Sequence, residues 1–592
     1  MARLAILLRE GDSPTKQQAR LSGVLDFFSI PWKPVNSTRL SELQKITQEQ
    51  IVFGSIQTLA TALEQGDQAS RAFLRPDAFY AYADDDLEAS GRALNSLCGH
   101  AGVSLRKAPG GILSLRVSRE WADLAGPMAG LEASSHLRKE DAVLVTGATT
   151  EESRFVTVVS AAGAPVFFRF KRNDVPVFLC ASSYMVDIDE EVGPGFYDVK
   201  DHFCSALPLV MFLRYMFPFL AWRPQELGAC LIVDDPLLRN RYGCCDFGKL
   251  RALMQRHAFT TNIAFIPWNW CRTSNTASEF FGDASGQFSV SIHGCDHIGA
   301  EFGTNSLELL HNRARLAQSR MRSHEARTGI HHDPIMIFPQ GVFSSVCPEV
   351  LKRHGFLAAV NTETVPVDRA GARTRIREVW DVAITAYSGF PIFPRRYAFH
   401  GLENFAFDLL LGKPCLIASH HDFFKNGSAQ AIELIEKLQS LNCCIHWRPL
   451  GEVIRRACRR RVAAPGVEEL EMYGNELLVG NASDEALEVR VKKRENQPQS
   501  VAGVFCDDSP AIWAAHADHL EFGGRIPPRS EALLRVAYRN VPETGKLKRP
   551  LRFELSVAAR RVLSEFRDEY LSRSRFLTRI TASLRNAPGK AK

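Results

Sequence analysis

Short apolar runs recur along the middle of the chain and alternate with amphipathic helical patterns. The runs lie at 229–233, 262–266, 289–292, 335–338, 358–360, 415–419 and 443–447. The helical patterns between them include 247–257, 306–327, 348–355 and 431–440. Fully apolar strands that alternate with helices are typical of a parallel sheet covered on both faces. The pattern therefore predicts a central α/β domain over 224–462, either a barrel or a doubly wound sheet.

The segments on either side have different patterns. Residues 1–200 alternate strand-like and helix-like stretches, which predicts an α/β domain of flavodoxin-like or amidotransferase-like type. This region shows no nucleophile elbow and no glycine-rich phosphate loop, so we expect a binding or scaffolding unit. Residues 463–542 alternate short strands with turns and predict a small antiparallel β-sandwich. Residues 543–592 predict a basic helical tail.

The segment 203–222, within a predicted apolar connecting helix at 201–223, is long enough to span a bilayer. Arg214 lies at its centre, however, and Pro208 and Pro218 interrupt it. A central arginine is costly inside a membrane, so the favoured prediction is a buried connecting helix. An interfacial helix and a true span are the alternatives. The apolar N-terminal stretch is too short for a signal peptide and predicts a first buried strand instead.

Composition and charge narrow the class of protein. A chain of 592 residues with 45% hydrophobic and 23% charged positions predicts several globular domains. The 14 cysteines form no CxxC motif, which favours reduced thiols and a cytoplasmic location. Residues 545–592 carry 13 Lys+Arg and 4 Asp+Glu, a charge of +9, so the rest of the chain carries 6 − 9 = −3. This uneven charge argues against nucleic-acid binding and predicts a basic tail. Peripheral contact of that tail with anionic membrane, which would bring a cytoplasmic protein to the inner membrane, is an alternative.

Polar residues follow several of the apolar runs in the central domain, at the strand ends where α/β proteins carry their chemistry. Asp234 and Asp235 close the first run, and His293 and His297 close the third. Pro236 supplies a turn after the aspartates, and two histidines four residues apart would share one side of a helical turn. One carboxylate and two imidazoles can hold a divalent metal and leave positions open for water and substrate.

The order of these motifs resembles the polysaccharide deacetylase (NodB-homology) family of carbohydrate esterases over residues 224–460. The motifs are DD at 234–235, HxxxH at 293–297, PxG at 339–341 and HD at 421–422. The resemblance implies a distorted (β/α)7-type barrel that hydrolyses N- or O-acetyl groups on sugars. It implies the following roles: Asp234 as the base; Asp235, His293 and His297 as ligands of a divalent metal, first of all Zn²⁺; Pro339 and Gly341 as groove residues; and His421 as the general acid, with His420 as the alternative.

The chain also departs from the family pattern. Pro236 stands where the family has glycine, and Ile337 stands where an arginine would pair with the base. Arg395 or Arg396 could supply that arginine from another strand. Trp268 and Trp270 are candidate sugar-binding residues because aromatic faces suit sugar rings.

These features predict a divergent, metal-dependent hydrolase that removes an acyl group, first of all N-acetyl, from an amino sugar in a polysaccharide or glycan precursor. The alternatives are a carbohydrate-binding protein that has lost turnover and a membrane-surface scaffold of envelope glycan assembly. Ile337 motivates the first alternative, and the apolar 201–223 segment with the basic tail motivates the second.

Overall fold

The computed structural model describes residues 3–39, 43, 48–65, 76–99, 102–146, 155–368, 374–539 and 549–571. Within them the chain forms an N-terminal α/β sheet, a parallel barrel-like sheet, and two further sheets that share a core.

The N-terminal region is built on a mixed sheet with strand order β2-β1-β3-β4-β11-β10-β9-β6-β7. The first five strands in that order pair in parallel, which is the order of flavodoxin-type sheets, and the other four extend it antiparallel. Strands β5 and β8 form a separate pair. The strands are Arg3–Arg9 (β1), Trp32–Asn36 (β2), Glu49–Ser55 (β3), Ala78–Tyr82 (β4), Val103–Lys107 (β5), Ile112–Val117 (β6), Glu132–His136 (β7), Ala142–Thr146 (β8), Val156–Ala161 (β9), Ala164–Arg172 (β10) and Val175–Cys180 (β11). The helices are Lys16–Phe27 (α1), Ile56–Gln65 (α2), Leu87–Cys98 (α3) and Ala122–Ala125 (α4).

The apolar 201–223 segment contains a helix, Phe203–Met216 (α5), with 12 of its 14 residues buried. Phe212 packs against aromatic rings of the N-terminal sheet. Arg214 donates hydrogen bonds to the carbonyls of Leu410 and Leu411 in the central domain. The helix therefore lies between the two domains, and its arginine is satisfied by helix-end carbonyls. In the part of the chain that the structure describes, no helix has the length and apolarity needed to cross a bilayer.

The central domain is a nearly closed, barrel-like parallel sheet with order β20-β19-β18-β17-β16-β13-β22-β21, and β23 joins it beside β13. The strands and the ribbon β14–β15 are Leu227–Asp234 (β13), Arg241–Tyr242 (β14), Cys245–Asp246 (β15), Thr261–Phe265 (β16), Phe288–His293 (β17), Ile335–Ile337 (β18), Ala358–Asn361 (β19), Ile392–Pro394 (β20), Arg396–Tyr397 (β21), Cys415–His420 (β22) and Ile445–Trp447 (β23); Arg223–Pro224 (β12) precedes them. The helices are Phe247–His257 (α6), Asn275–Asp283 (α7), Leu307–Thr328 (α8), Cys347–Arg353 (α9), Ile376–Trp380 (α10), Leu402–Leu411 (α11), Ala429–Gln439 (α12) and Leu450–Arg456 (α13).

The two ends of this sheet come together at one residue. Strand β20 pairs with β19, strand β21 pairs with β22, and only Arg395 separates β20 from β21 along the chain. The chain therefore passes from one end of the strand order to the other at Arg395. The predicted mixed α/β fold with a parallel, barrel-like central sheet is confirmed at this level.

The region after the barrel folds into two sheets around one apolar core. Their orders are β12-β24-β25-β27-β31-β30 and β26-β32-β28-β29. The strands are Cys458–Ala464 (β24), Val467–Met472 (β25), Glu476–Asn481 (β26), Leu487–Arg494 (β27), Val501–Cys506 (β28), Ser509–Pro510 (β29), Trp513–Ala515 (β30), His519–Ile526 (β31) and Ser530–Tyr538 (β32). The sequence predicted an antiparallel arrangement, but β25 and β27 pair in parallel. The reason is that β26, between them in the chain, crosses to the other sheet.

The C-terminal helix, Leu551–Phe566 (α14), continues into a wider π-helical turn at Arg567–Leu571. Its buried side chains include Val557, Arg561, Glu565 and Asp568. Polar contacts described below seat it on the barrel edge that carries Asp235. Residues 543–548 and 572–592 of the predicted basic tail lie outside the described residues.

Candidate metal centre and active site

Asp234 and Asp235 stand at the C-terminal end of β13, in the middle of the barrel strand order. Asp235 has a φ of 79°, a left-handed conformation that aspartate tolerates better than most residues. Adjacent residues of a strand normally point to opposite faces, so this turn lets both carboxylates serve the same edge of the barrel. Asp234 lies opposite Ala264 on one neighbouring strand and opposite His420 on the other.

The predicted metal ligands Asp235, His293 and His297 come together in the structure. The Nε2 atoms of His293 and His297 lie 3.4 and 3.0 Å from Asp235 Oδ1. His293 Nδ1 lies 3.0 Å from the carbonyl oxygen of Ile337. That carbonyl can only accept, so Nδ1 carries the hydrogen and Nε2 presents its lone pair toward Asp235.

The electrostatics of Asp235 fit a cation site. Its Oδ1 is buried without a hydrogen-bond partner. Burial alone would raise the pKa of Asp235, but His297 and His293, when protonated, outweigh it and hold that pKa well below its ordinary value. One potential ligand atom from each of the three residues lies within 4.8 Å of the others. A carboxylate and two imidazoles at this spacing suit Zn²⁺ or a similar divalent ion and leave coordination positions open.

A second group of potential ligands lies on the exposed strand pair β30–β31 rather than in the barrel. His516, His519 and Glu521 also have ligand atoms within 4.8 Å of one another. Any measurement of bound metal therefore needs a variant that removes this group.

The loop that carries His297 is organised by Glu301, which the sequence analysis did not single out. The buried Glu301 carboxylate accepts hydrogen bonds from the backbone N–H groups of Cys295, Asp296 and His297 at 2.7, 3.1 and 3.3 Å. The helical turn predicted from the HxxxH spacing is wrong. His293 ends a strand, and the loop turns through left-handed conformations at Gly294 and His297, with φ of 67° and 56°. Glu301 thereby supplies the acceptors that these backbone N–H groups need.

Asp234, the predicted base, is paired with Arg395. Two parallel hydrogen bonds of 2.7 and 2.6 Å join the guanidinium to the carboxylate, and both side chains are almost fully buried. Burial would raise the pKa of Asp234, but Arg395 outweighs it and the pKa lies below its ordinary value. Arg396 points the other way and binds Asp408. Ile337 is buried in the core and cannot pair with the base. Of the two arginines considered from the sequence, Arg395 therefore pairs with Asp234 instead.

The two adjacent histidines at the end of β22 have different surroundings. His420 Nδ1 lies 4.0 Å from Asp235 Oδ2, and its side chain is 44% exposed. His421 turns away from Asp235. Its Nε2 lies 3.6 Å from Asp568 Oδ1, and its ring meets the ring of Tyr242 edge-on. The sequence favoured His421 over His420 as the general acid, whereas in the structure His420 is the one that lies near Asp235.

The predicted groove residues lie on neighbouring loops. Pro339 and Gly341 are buried in a short turn after β18, and Asn361 holds the Gly341 carbonyl at 2.8 Å. Trp268 is half-buried with the Arg272 guanidinium 5.5 Å from its ring centre. Trp270 is half-buried, and Arg327 donates to its carbonyl. Their role toward a sugar stays a prediction.

The C-terminal helix makes a set of polar contacts with this edge of the barrel, which no sequence motif indicated. Asp568 accepts a hydrogen bond from the Tyr242 hydroxyl at 3.0 Å and faces His421. Glu565 binds Arg272 through both carboxylate oxygens, one at 2.8 Å. Just before the helix, Arg549 lies 2.8 Å from Asp296 in the histidine loop. The helix is thus fixed beside the Asp235–His293–His297 group by charged side chains.

No protein-family model matches the chain, and no curated protein matches it. Among solved structures, the chain is similar to a Mycobacterium smegmatis protein described as a polysaccharide deacetylase (13% identity, 39% of this chain, 92% of that chain, TM-score 0.26). It is also similar to the Xyl-CE4 domain of a multidomain xylanase from the hindgut metagenome of Trinervitermes trinervoides (10%, 39% and 90%, TM-score 0.23). A third is a family 4 carbohydrate esterase from Streptomyces lividans in complex with acetate (12%, 37% and 97%, TM-score 0.23).

Proposed function

We propose that the chain is a metal-dependent hydrolase that removes an acyl group from an amino sugar of a polysaccharide or glycan precursor. N-acetyl is the favoured acyl group. The observation that carries the proposal is the pairing of Asp234 with Arg395 directly beside the Asp235–His293–His297 cluster. An ionised carboxylate next to a cation site is what deprotonation of an attacking water needs. The order of motifs that resembles carbohydrate deacetylases supports the choice of an acylated sugar.

Each residue of the site has a separate role in the proposed reaction. Asp235, His293 and His297 hold the divalent ion, which when bound supplies Lewis acidity toward water and the acyl carbonyl. Asp234, kept ionised by Arg395, takes a proton from the attacking water. His420 gives a proton to the sugar nitrogen as the C–N bond breaks, and acetate and a free amine leave.

We favour His420 over His421 as the proton donor because a donor must reach the leaving nitrogen. His420 is exposed toward Asp235, whereas the Nε2 of His421 faces Asp568. His421 then holds the C-terminal helix rather than the substrate. The alternative of a carbohydrate-binding protein without turnover was motivated by Ile337, which stands where an arginine would pair with the base. The Arg395–Asp234 pair removes that reason.

The experiment is an assay of acetate release from a panel of N-acetylated sugar oligomers by metal-stripped protein resupplied with Zn²⁺ or Co²⁺. Release should require added metal. His420→Gln should lower the rate about 10²–10⁴-fold, the range of a lost general acid. His421→Gln is the matched control and should retain most of the rate. A folded protein that releases no acetate from any member of the panel would refute the proposal.

A further inference from the structure

The C-terminal helix buries charged side chains and exposes apolar ones, which is the reverse of an ordinary surface helix. A surface helix usually buries its apolar stripe and exposes its charges. Here the buried positions Val557, Arg561, Glu565 and Asp568 recur at helical spacing, and three of the four are charged. Two of these charges contact polar partners on the barrel edge: Glu565 binds Arg272, and Asp568 accepts from Tyr242.

The opposite face of the same helix is apolar and exposed. It carries six large side chains that are each between 52 and 74% exposed: Leu551, Leu555, Val562, Leu563, Phe566 and Tyr570. Most of them are spaced by three, four or seven residues, so they form one continuous stripe along the helix, which we call the outer stripe. Large apolar side chains in water are unfavourable, and a contiguous exposed apolar patch marks an interaction surface.

The charge around the outer stripe indicates what it contacts. Arg552, Arg560 and Arg567 are exposed on the helix. The sequence that follows it, residues 572–592, contains six Lys+Arg and no Asp or Glu. Apolar side chains on one helix face with basic residues beside and after them suit an anionic lipid surface, where the side chains enter the interface and the cations meet lipid headgroups.

We infer that the outer stripe is a docking surface for an anionic bilayer, with the helix still seated on the barrel. Both faces of the helix then have partners at once. Glu565 and Asp568 on the charged face contact Arg272, Tyr242 and His421, and the apolar face contacts lipid. Because the same helix lies beside the Asp235 cluster, docking holds that edge of the barrel close to the membrane surface. The docking surface itself does not depend on the proposed hydrolysis.

The test is flotation of the full chain with vesicles of phosphatidylcholine alone and with about one third phosphatidylglycerol. Wild-type protein should float with the anionic vesicles, bind the neutral ones much more weakly, and be released by high salt. The double variant Leu555→Gln/Phe566→Gln should bind the anionic vesicles at least about tenfold more weakly, because two insertion anchors are lost. Glutamine is a good helix former, so the helix should persist.

Ile512→Gln is the matched control, since Ile512 is equally apolar and 94% exposed but lies on the C-terminal sheets. It should float like the wild type, and both variants should keep the wild-type circular dichroism and melting temperature. Equal flotation of wild type and double variant, or no flotation of the wild type, overturns the inference. So does a wild-type dimer in light scattering that the double variant abolishes, because a second copy would then cover the stripe. These readouts need no turnover, so their failure is distinct from failure of the proposed hydrolase.

Discussion

Asp234 and Asp235 are sequence neighbours with different partners, and that difference supports their proposed roles. Asp234 faces a guanidinium and is almost fully enclosed, which suits a base that must stay ionised. Asp235 faces two imidazole nitrogens and keeps a carboxylate oxygen without a hydrogen bond, which suits a cation ligand. The sequence predicted both residues but left the partner of Asp234 open between two arginines. Strand alternation decides between them, since adjacent side chains at 395 and 396 point to opposite faces.

Replacing Arg395 should change the pH dependence of the proposed reaction. In Arg395→Gln the buried Asp234 loses its positive partner, so burial raises its pKa and the carboxylate protonates at higher pH. The acidic limb of the pH–rate profile for acetate release should therefore move upward. Arg395→Lys keeps a positive charge and should move the limb less.

The Arg395 variants also need a measure of folding, because removing one partner of a buried ion pair costs about 3–5 kcal/mol. Thermal unfolding of both variants supplies it, and Arg395→Lys is the better-folded comparison. An acidic limb that stays in place in folded Arg395→Gln would mean that this arginine does not tune the base.

At the scale of elements, the loop 294–301 has a shape that the sequence did not predict. The strand ends that carry His293 and Asp234 could be predicted from apolar runs. The loop between the histidines could not, because its shape depends on Glu301 accepting three backbone N–H groups. The choice between His420 and His421 turned on a one-residue register, which periodicity alone does not fix.

Gly294→Ala should disrupt the metal cluster. Gly294 has a φ of 67°, and a Cβ there would lie 2.0 Å from Glu301 Oε1 and 2.5 Å from Pro339 Cγ. The loop must then shift, and we expect Zn²⁺ affinity to fall by at least about tenfold, as for other losses of ligand support. The measurement is Zn²⁺ titration against a competing chelator, in a His516→Ala/His519→Ala background that removes the second potential ligand group.

Gly299→Ala is the matched control in the same loop. A Cβ at Gly299 would meet nothing closer than 3.9 Å, and its backbone is not left-handed. Its Zn²⁺ affinity should equal that of the wild type. Equal affinities in both alanine variants would show that the turn at Gly294 does not position the ligands.

At the scale of the whole molecule, the apolar patterning predicted the mixed α/β fold and the parallel sheet, because such strands are apolar throughout. It did not predict that the two end strands of the sheet, β20 and β21, would be joined at Arg395, since this depends on strand pairs far apart in sequence. Nor did it predict that the C-terminal helix would lie beside the Asp235–His293–His297 group, because the buried face of that helix is charged.

The fold should lose stability in mild acid through its buried histidines. Burial lowers the pKa of His324 to about 4 from its ordinary 6.5, and His324 Nε2 lies 2.9 Å from the Thr273 hydroxyl. Between those values the unfolded chain binds a proton that the folded chain excludes, so stability falls as pH drops from 6.5 toward 4. At pH about 5 the loss from such a group is roughly 1–2 kcal/mol.

His324→Gln removes the titrating group and keeps a polar side chain near Thr273. Urea midpoints at neutral and mildly acidic pH should therefore differ less in the variant than in the wild type. An identical pH dependence in the two proteins would exclude His324 as a source of acid sensitivity.

The central claim is that Asp235 holds the metal while Asp234 acts beside it. It is tested most directly by measuring bound Zn²⁺ and acetate release on the same samples, in a His516→Ala/His519→Ala background that removes the exposed second group. Asp234→Asn should keep one equivalent of Zn²⁺ and lose acetate release, whereas Asp235→Asn should lose both. Zn²⁺ bound equally well by Asp235→Asn, or full acetate release by Asp234→Asn, would contradict the account.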